Sequence, residues 1–138
     1  MVDLKSLKDV MKESTALWGR GRHADALKLV DEWILRAEQQ AQALPVKILS
    51  MHGSLIANSM GNLELARAYC ERVLSFEPEN ALALYTVADL LFRRREDEKA
   101  KEYAAKSYAL VKHSEREEDR ALREILLEKW PKVVEWQS

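Results

Sequence analysis

The chain of 138 residues carries 22 lysines and arginines against 23 aspartates and glutamates, so its formal net charge at pH 7 is −1. A nearly neutral chain lacks the basic surface that nucleic-acid binding requires, and its single cysteine cannot form an internal disulfide, which favours a reducing compartment. The N-terminus lacks a secretory pattern and no apolar run approaches the ~20 residues of a membrane-spanning helix, so the sequence predicts a cytoplasmic protein with no nucleic-acid or membrane partner.

Helix signals follow one another along the whole chain, which has only four glycines and three prolines. Asp3 is predicted to cap the first helix, and Pro45 fits the first turn of the third, where its missing N–H is no loss. Asn62 caps the fourth helix, and Ser114 with Glu117 predicts a capping box for the seventh. The seven predicted helices cover about 3–18, 23–43, 45–61, 62–76, 80–93, 97–113 and 114–130.

Small residues recur at matched offsets in these helices. Three of them, Ser14, Ser54 and Ala88, each precede an alanine (Ala26, Ala66 and Ala100) by twelve residues. The last two pairs are offset by 34 residues and the first two by 40. Small side chains at a helix crossing let two backbones approach closely, so the pattern predicts three helical hairpins.

The recurring residues resemble the tetratricopeptide repeat (TPR) family, whose pattern is W-x₂-L-G-x₂-Y, then A-x₃-F, then P. The matching positions are Val10, Ser14, Leu17, Gly21, Ala26 and Val30; Ser50, Ser54, Ala57, Gly61, Ala66, Cys70 and Pro78; and Leu84, Ala88, Leu91, Ala100 and Ala104. None of the three units has the family's tryptophan or tyrosine, and Trp33 stands where the second helix normally carries a small residue.

The resemblance implies an all-α fold, a right-handed superhelical stack of three helix-turn-helix hairpins plus a C-terminal helix. It implies a single domain over 1–138. Its parts are repeats at about 7–43, 47–80 and 81–113, a C-terminal helix at about 114–130 and an apolar tail at 131–138.

In this family the first helix of each repeat lines a concave groove, so the resemblance also implies the groove residues. They are Lys8, Met11, Thr15 and Trp18 in the first repeat, Ile48, Met51, His52, Leu55 and Asn58 in the second, and Leu82, Tyr85, Thr86, Asp89, Phe92 and Arg93 in the third. For Ile48 and Leu55, packing in the core is an equal alternative. The expected anchors for a partner are Trp18, Met51, Tyr85 and Phe92, with His52, Asp89 and Arg93 fixing its register.

Many family members bind the acidic C-termini of heat-shock chaperones through a clamp of cationic and amide side chains. The matching positions here are Met11, Thr15, His52, Leu82 and Thr86, which supply no lysine or arginine for a terminal carboxylate. The sequence therefore predicts an apolar peptide or amphipathic helix of a protein partner as the ligand.

An apolar stripe runs through the C-terminal helix and past Pro131. Residues 122–130 are expected to cover the open side of the last hairpin. The segment 131–136 is hypothesised to fold into the chain's own groove or to reach into that of a second molecule, as a homodimer. The residues for such self-association are Trp130, Val133, Val134 and Trp136.

No catalytic, metal or cofactor site is predicted. His23, His52 and His113 lie in different helices without metal-ligand spacing, and Cys70 occupies a packing position that predicts a buried, inert thiol. The predicted function is a non-catalytic protein-interaction module. The alternatives are a self-assembling scaffold and a small chaperone of a secreted or assembling subunit.

Overall fold

The computed structural model of the chain describes residues 2–136. Its elements are α1 (Leu4–Gly19), α2 (His23–Gln39), α3 (Ala43–Ser59), α4 (Leu63–Phe76), α5 (Ala81–Arg93), α6 (Asp97–Val111), α7 (Glu117–Lys129) and a 3₁₀ helix (Pro131–Glu135). Residues 2–136 contain no β-strand, so the predicted all-α class is confirmed. None of the described helices has the length and apolar character to span a bilayer. The chain forms two compact units, which divide between Phe76 and Glu77.

Unit 1, helices α1 to α4, consists of two helical hairpins in which α2 also packs on α3. The small residues Ser14, Ala26, Ser54 and Ala66 are all buried, as expected for residues at close helix crossings. Apolar side chains fill the space around them: Val10, Leu27, Val30, Ile34, Leu49, Ile56 and Val73.

Unit 2 is the hairpin of α5 and α6, covered by α7 and the 3₁₀ helix. Its small residues Ala88, Ala100 and Ala104 are fully buried. Val133 of the 3₁₀ helix packs into the same cluster as Ala88 and Ala104. The C-terminal helix therefore covers this hairpin as predicted, and the segment after Pro131 continues the cover.

Four interhelical turns share one geometry, which corrects two predicted boundaries. Each has a left-handed residue, with φ of 76° at Gly21, 55° at Ala41, 76° at Gly61 and 61° at Arg95. The next amide then donates to the carbonyl five residues earlier, as in Gln42 N to Ala37 O at 2.9 Å. Ala41 ends α2 at Gln39 rather than Ala43, and α3 begins two residues before Pro45. Alanine rarely adopts positive φ, so the sequence carried no turn signal there.

The predicted caps at Asp3 and Asn62 are confirmed, Asn80 adds a cap where the sequence analysis predicted only a helix start, and the cap of one helix differs from its prediction. Asp3, Asn62 and Asn80 each accept a hydrogen bond from the amide three residues later, at 2.8, 3.1 and 3.0 Å. The capping box of Ser114 with Glu117 is wrong: Ser114 Oγ donates to Asp119 Oδ2 at 2.7 Å, and α7 begins only at Glu117. The preceding helix α6 also ends earlier than predicted, at Val111.

Candidate functional site: an apolar surface on helices α1 and α3

A buried polar contact joins the first helices of the two hairpins in unit 1. Ser14 Oγ lies 2.7 Å from His52 Nε2, and both residues are buried. Burial lowers the pKa of His52, because the charged imidazolium loses its hydration. Its Nε2 is therefore used inside unit 1, and the role of His52 in fixing a partner's register stays a prediction.

Residues one helical turn from this contact form the neighbouring surface. Met11 and Trp18 precede and follow Ser14 by three and four residues, and both are half-buried. On the other helix, Ile48 and Leu55 stand four residues before and three after His52. Thr15 is exposed, and its hydroxyl donates to Met11 O at 2.6 Å within its own helix.

Helix α3 is buried on most of its circumference, and the strip that it leaves open is apolar from Leu44 to Leu55. The strip consists of Leu44, Ile48, Met51 and Leu55, spaced i, i+4, i+7 and i+11, and the half-buried Lys47 and Asn58 border it. Ile48 and Met51 are half-buried, whereas Leu44 is 61% exposed and Leu55 56% exposed. Together with Met11, Thr15 and Trp18, these four residues make up the α1–α3 face.

The sequence predicts a turn at Leu44, between a helix that ends at Ala43 and a helix that begins at Pro45. The helical spacing of Leu44 from Ile48 and Met51 was the signal that could have found it. Leu55, for which core packing was the alternative, lies at the surface.

In unit 2, the predicted anchors are covered by the chain's own C-terminal segment. The ring centroid of Trp130 lies 5.4 Å from that of Tyr85 and 4.9 Å from that of Phe92. The ring centroid of Trp136 lies 5.9 Å from that of Phe92. Tyr85 and Phe92 are half-buried, and the C-terminal tryptophans occupy part of the surface that a partner would contact.

The predicted polar residues of unit 2 are also engaged. Lys129 Nζ lies 2.6 Å from Asp89 Oδ1 and donates to Tyr85 OH at 3.3 Å, and Arg93 approaches Asp89 at 3.3 Å. Burial alone would lower the pKa of Lys129, but the hydrogen bonds to Asp89 and Tyr85 outweigh it and raise that pKa. Leu82 remains exposed, and the Thr86 hydroxyl donates to Leu82 O at 2.8 Å.

The four predicted self-association residues differ in their exposure. Val133 is fully buried within unit 2, Trp130 and Trp136 are half-buried against Phe92, and Val134 is 49% exposed. The segment thus packs on α6 and α7 of its own unit, and its entry into the concave groove stays a prediction. A homodimer through this tail stays a prediction. Val133 is buried and cannot contribute to the interface of such a dimer. Residues 137–138 of the predicted tail lie outside the described residues.

The remaining titratable groups form no reactive constellation in the part of the chain that the structure describes. Cys70 is fully buried with Sγ 3.1 Å from Ser54 Oγ, and burial raises its pKa to about 11, so the thiolate is scarce at neutral pH. Among residues 2–136, no three His, Cys, Asp or Glu side chains are grouped to hold a metal ion.

Cavities lie elsewhere on the surface. One of about 310 Å³ between α2 and α4 is rimmed by charged groups already paired, Tyr69 with Asp31 at 2.5 Å and Arg72 with Glu38 at 2.9 Å. Another of about 500 Å³ in unit 2 lies among the ends of α5, α6 and α7. Neither includes a residue of the α1–α3 face.

Comparison with solved structures places this fold among the tetratricopeptide-repeat domains. The type III secretion translocator chaperone SycD of Yersinia enterocolitica superposes with a TM-score of 0.73 at 14% identity, over 94% of this chain and 91% of that one. The first TPR domain of Spaghetti (RPAP3), bound to the HSP90 peptide SRMEEVD, gives 0.62 at 12% identity over 94% and 96%. The Sgt2 TPR domain of Aspergillus fumigatus gives 0.61 at 17% identity over 94% and 82%.

No protein-family model matches the sequence, and no curated protein matches it. At these low identities the likeness concerns the fold, and the TPR-like fold predicted from the small-residue pattern is confirmed.

Proposed function

We propose that this chain is a non-catalytic protein-interaction module that binds an apolar segment of a partner protein on the α1–α3 face. The observation that carries the proposal is the open strip of α3 from Leu44 to Leu55, which presents four apolar side chains to water between the polar Lys47 and Asn58 at its borders. An apolar strip left in contact with water marks a surface that a second molecule covers.

The energetics favour such binding. Leu44 and Leu55 each leave more than half of their surface in water, and covering each one contributes about 1 kcal/mol. The half-buried methionines Met11 and Met51 add a flexible contact area that adapts to the partner's shape. Trp18 and Met51 remain as anchors, because the C-terminal tryptophans already pack on Tyr85 and Phe92.

The structural neighbours are consistent with this role. One of them is bound to a peptide of HSP90 and another is a translocator chaperone. A protein or peptide partner for the present chain follows from that likeness together with the apolar face.

The proposal is tested by capture of partners from a lysate of the source cells on immobilised protein. The wild type is compared with Leu55→Glu and with Leu35→Glu, a matched control on α2 whose residue is also 56% exposed. We expect Leu55→Glu to lose the captured partner, because a buried carboxylate lacks a counter-charge, and Leu35→Glu to retain it. Equal capture by all three proteins would exclude the α1–α3 face.

A small chaperone for a secreted or assembling subunit is the second candidate, favoured by the likeness to SycD over nearly the whole of both chains. It makes a separate prediction about the captured protein: this protein should aggregate when produced alone and remain soluble when produced with the wild-type chain. If it is soluble by itself, the chaperone role fails and the interaction module remains.

A further inference from the structure

On helix α1, the charged residues that border the α1–α3 face are positive. Taking 100° per residue, Lys8 and Lys12 lie about 20° and 60° around the helix from Thr15 of this face. Asp9 and Glu13 lie about 120° and 160° away, on the far side. Lys8 and Lys12 are both exposed, so their ammonium groups border the face.

Helix α3 also lacks negative side chains. Among its 17 residues there is no aspartate or glutamate, and Lys47 is its single lysine or arginine. Lys47 lies about 60° from Leu44 and 40° from Met51 around the helix axis, at the edge of the apolar strip. Lys47 already interacts within the chain, so Lys8 and Lys12 are the lysines of α1 and α3 on which the argument depends. Neither helix, all of whose residues the structure describes, places a carboxylate at this face.

From this charge distribution we infer that the partner segment is acidic: its apolar residues lie on the α1–α3 face, and its flanking aspartates or glutamates approach Lys8 and Lys12. The inference rests on the proposed function and specifies its ligand. Opposite charges at the rim of an apolar contact select the partner and speed association.

We expect the partner's carboxylates to be aspartate and glutamate side chains of an internal segment, and not the carboxylate at its C-terminus. The positions that bind a C-terminal carboxylate in chaperone-binding relatives hold Met11, Thr15, His52, Leu82 and Thr86 here, with no lysine or arginine among them. Lys8 and Lys12 lie instead on α1, one helical turn apart and on the side of that helix that carries Thr15. A segment with acidic residues distributed along its length matches that arrangement.

Selection from a displayed library of random peptides of about 16 residues, with blocked C-termini, tests the inference. On the wild type we expect enriched peptides to combine apolar residues with a several-fold excess of Asp and Glu over Lys and Arg. On Lys8→Glu/Lys12→Glu, whose substitutions are exposed, the excess should fall or reverse. An unchanged excess on this variant would contradict the inference.

Affinity measurements on an enriched peptide supply the matched control. Exposed charge pairs contribute about 1.4- to fivefold each, so Lys8→Gln/Lys12→Gln should weaken binding at least about twofold, and added salt should reduce the difference. Lys28→Gln/Lys99→Gln removes the same charge from exposed positions on α2 and α6 and should leave the affinity unchanged. Equal losses in the two double variants would contradict the inference.

The outcomes separate the inference from the proposed function. If the wild type enriches neutral or basic apolar peptides and Leu55→Glu abolishes their binding, the α1–α3 face binds a partner but the acidic partner is wrong. If no peptide is enriched, or if Leu55→Glu binds the enriched peptides like the wild type, the proposed function itself fails.

Discussion

At the scale of single residues, the packing of unit 1 depends on a position without a side chain, which leaves room for an aromatic ring. Gly53 is such a position, because a Cβ built there would lie 2.8 Å from the ring of Tyr69. Tyr69 is held in place by burial and by its hydrogen bond to Asp31 at 2.5 Å. The glycine is therefore required by packing rather than by a turn.

Gly53→Ala is expected to lower the free energy of unfolding by about 1–3 kcal/mol, although alanine ordinarily stabilises a helix interior. The reason is the clash with the Tyr69 ring. Gly19→Ala is the control, because a Cβ on Gly19 meets nothing within 4 Å. Urea denaturation of both variants checks this, and an equal or higher stability of Gly53→Ala would contradict the packing argument.

The buried His52 predicts a pH dependence of stability. Burial lowers its pKa in the folded protein below the ordinary 6.5, so the unfolded chain takes up a proton first as the pH falls. The free energy of unfolding should therefore decrease as the pH falls below 6.5, and His52 contributes at most about 1.4 kcal/mol per pH unit to this decrease. Above pH 6.5, His52 should contribute no pH dependence. Denaturation between about pH 7.5 and 5.5 should show less dependence in His52→Gln and an unchanged dependence in His113→Gln, where the residue is exposed.

At the scale of elements, the sequence predicted where most helices lie but not how each one ends. The caps at Asp3, Asn62 and Asn80 and the turns at Gly21 and Gly61 were recognisable because the residue types suit their backbone geometry. Ala41 adopts the same left-handed turn without the glycine that would have indicated it. The hydrogen bond that recurs in all four turns, from the amide after the left-handed residue to a carbonyl of the preceding helix, stabilises that turn in place of a favourable residue type.

Ala41→Gly and Arg95→Gly should each raise the free energy of unfolding by about 0.5–1 kcal/mol, because glycine adopts a positive φ without strain. Gly61→Ala is the converse control, with φ of 76° at Gly61, and should lower it by a similar amount. Thermal denaturation measures all three. A loss of stability in both glycine variants would show that these turns are not strained.

The C-terminal 3₁₀ helix should contribute to stability through one face only. Val133→Ala removes methyl groups from the cluster with Ala88 and Ala104 and should cost about 2 kcal/mol. Val134→Ala, at the adjacent exposed residue, should change stability by less than about 0.5 kcal/mol. Equal effects measured by urea denaturation would mean that the segment is not packed on unit 2.

At the scale of the whole molecule, the sequence predicted the fold class and part of the site. The small-residue period identified the hairpins because close helix packing tolerates few residue types. The family resemblance implied that Met51 and Leu55 belong to a partner-binding surface, and both lie on the open side of α3. It could not predict that Ser14 holds His52, or that Trp130 and Trp136 cover Phe92, because those contacts join residues far apart in the chain.

The central claim is that a partner lies on the α1–α3 face. It is tested most directly by photo-cross-linking, with a benzoyl-phenylalanine placed at position 55 in one variant and at position 35 in another. Both positions are 56% exposed in the free chain, so they differ in the helix that carries them and not in accessibility. A cross-linked partner at position 55 and none at position 35 is the expected result; cross-linking at position 35 alone, or equally at both, would contradict the account.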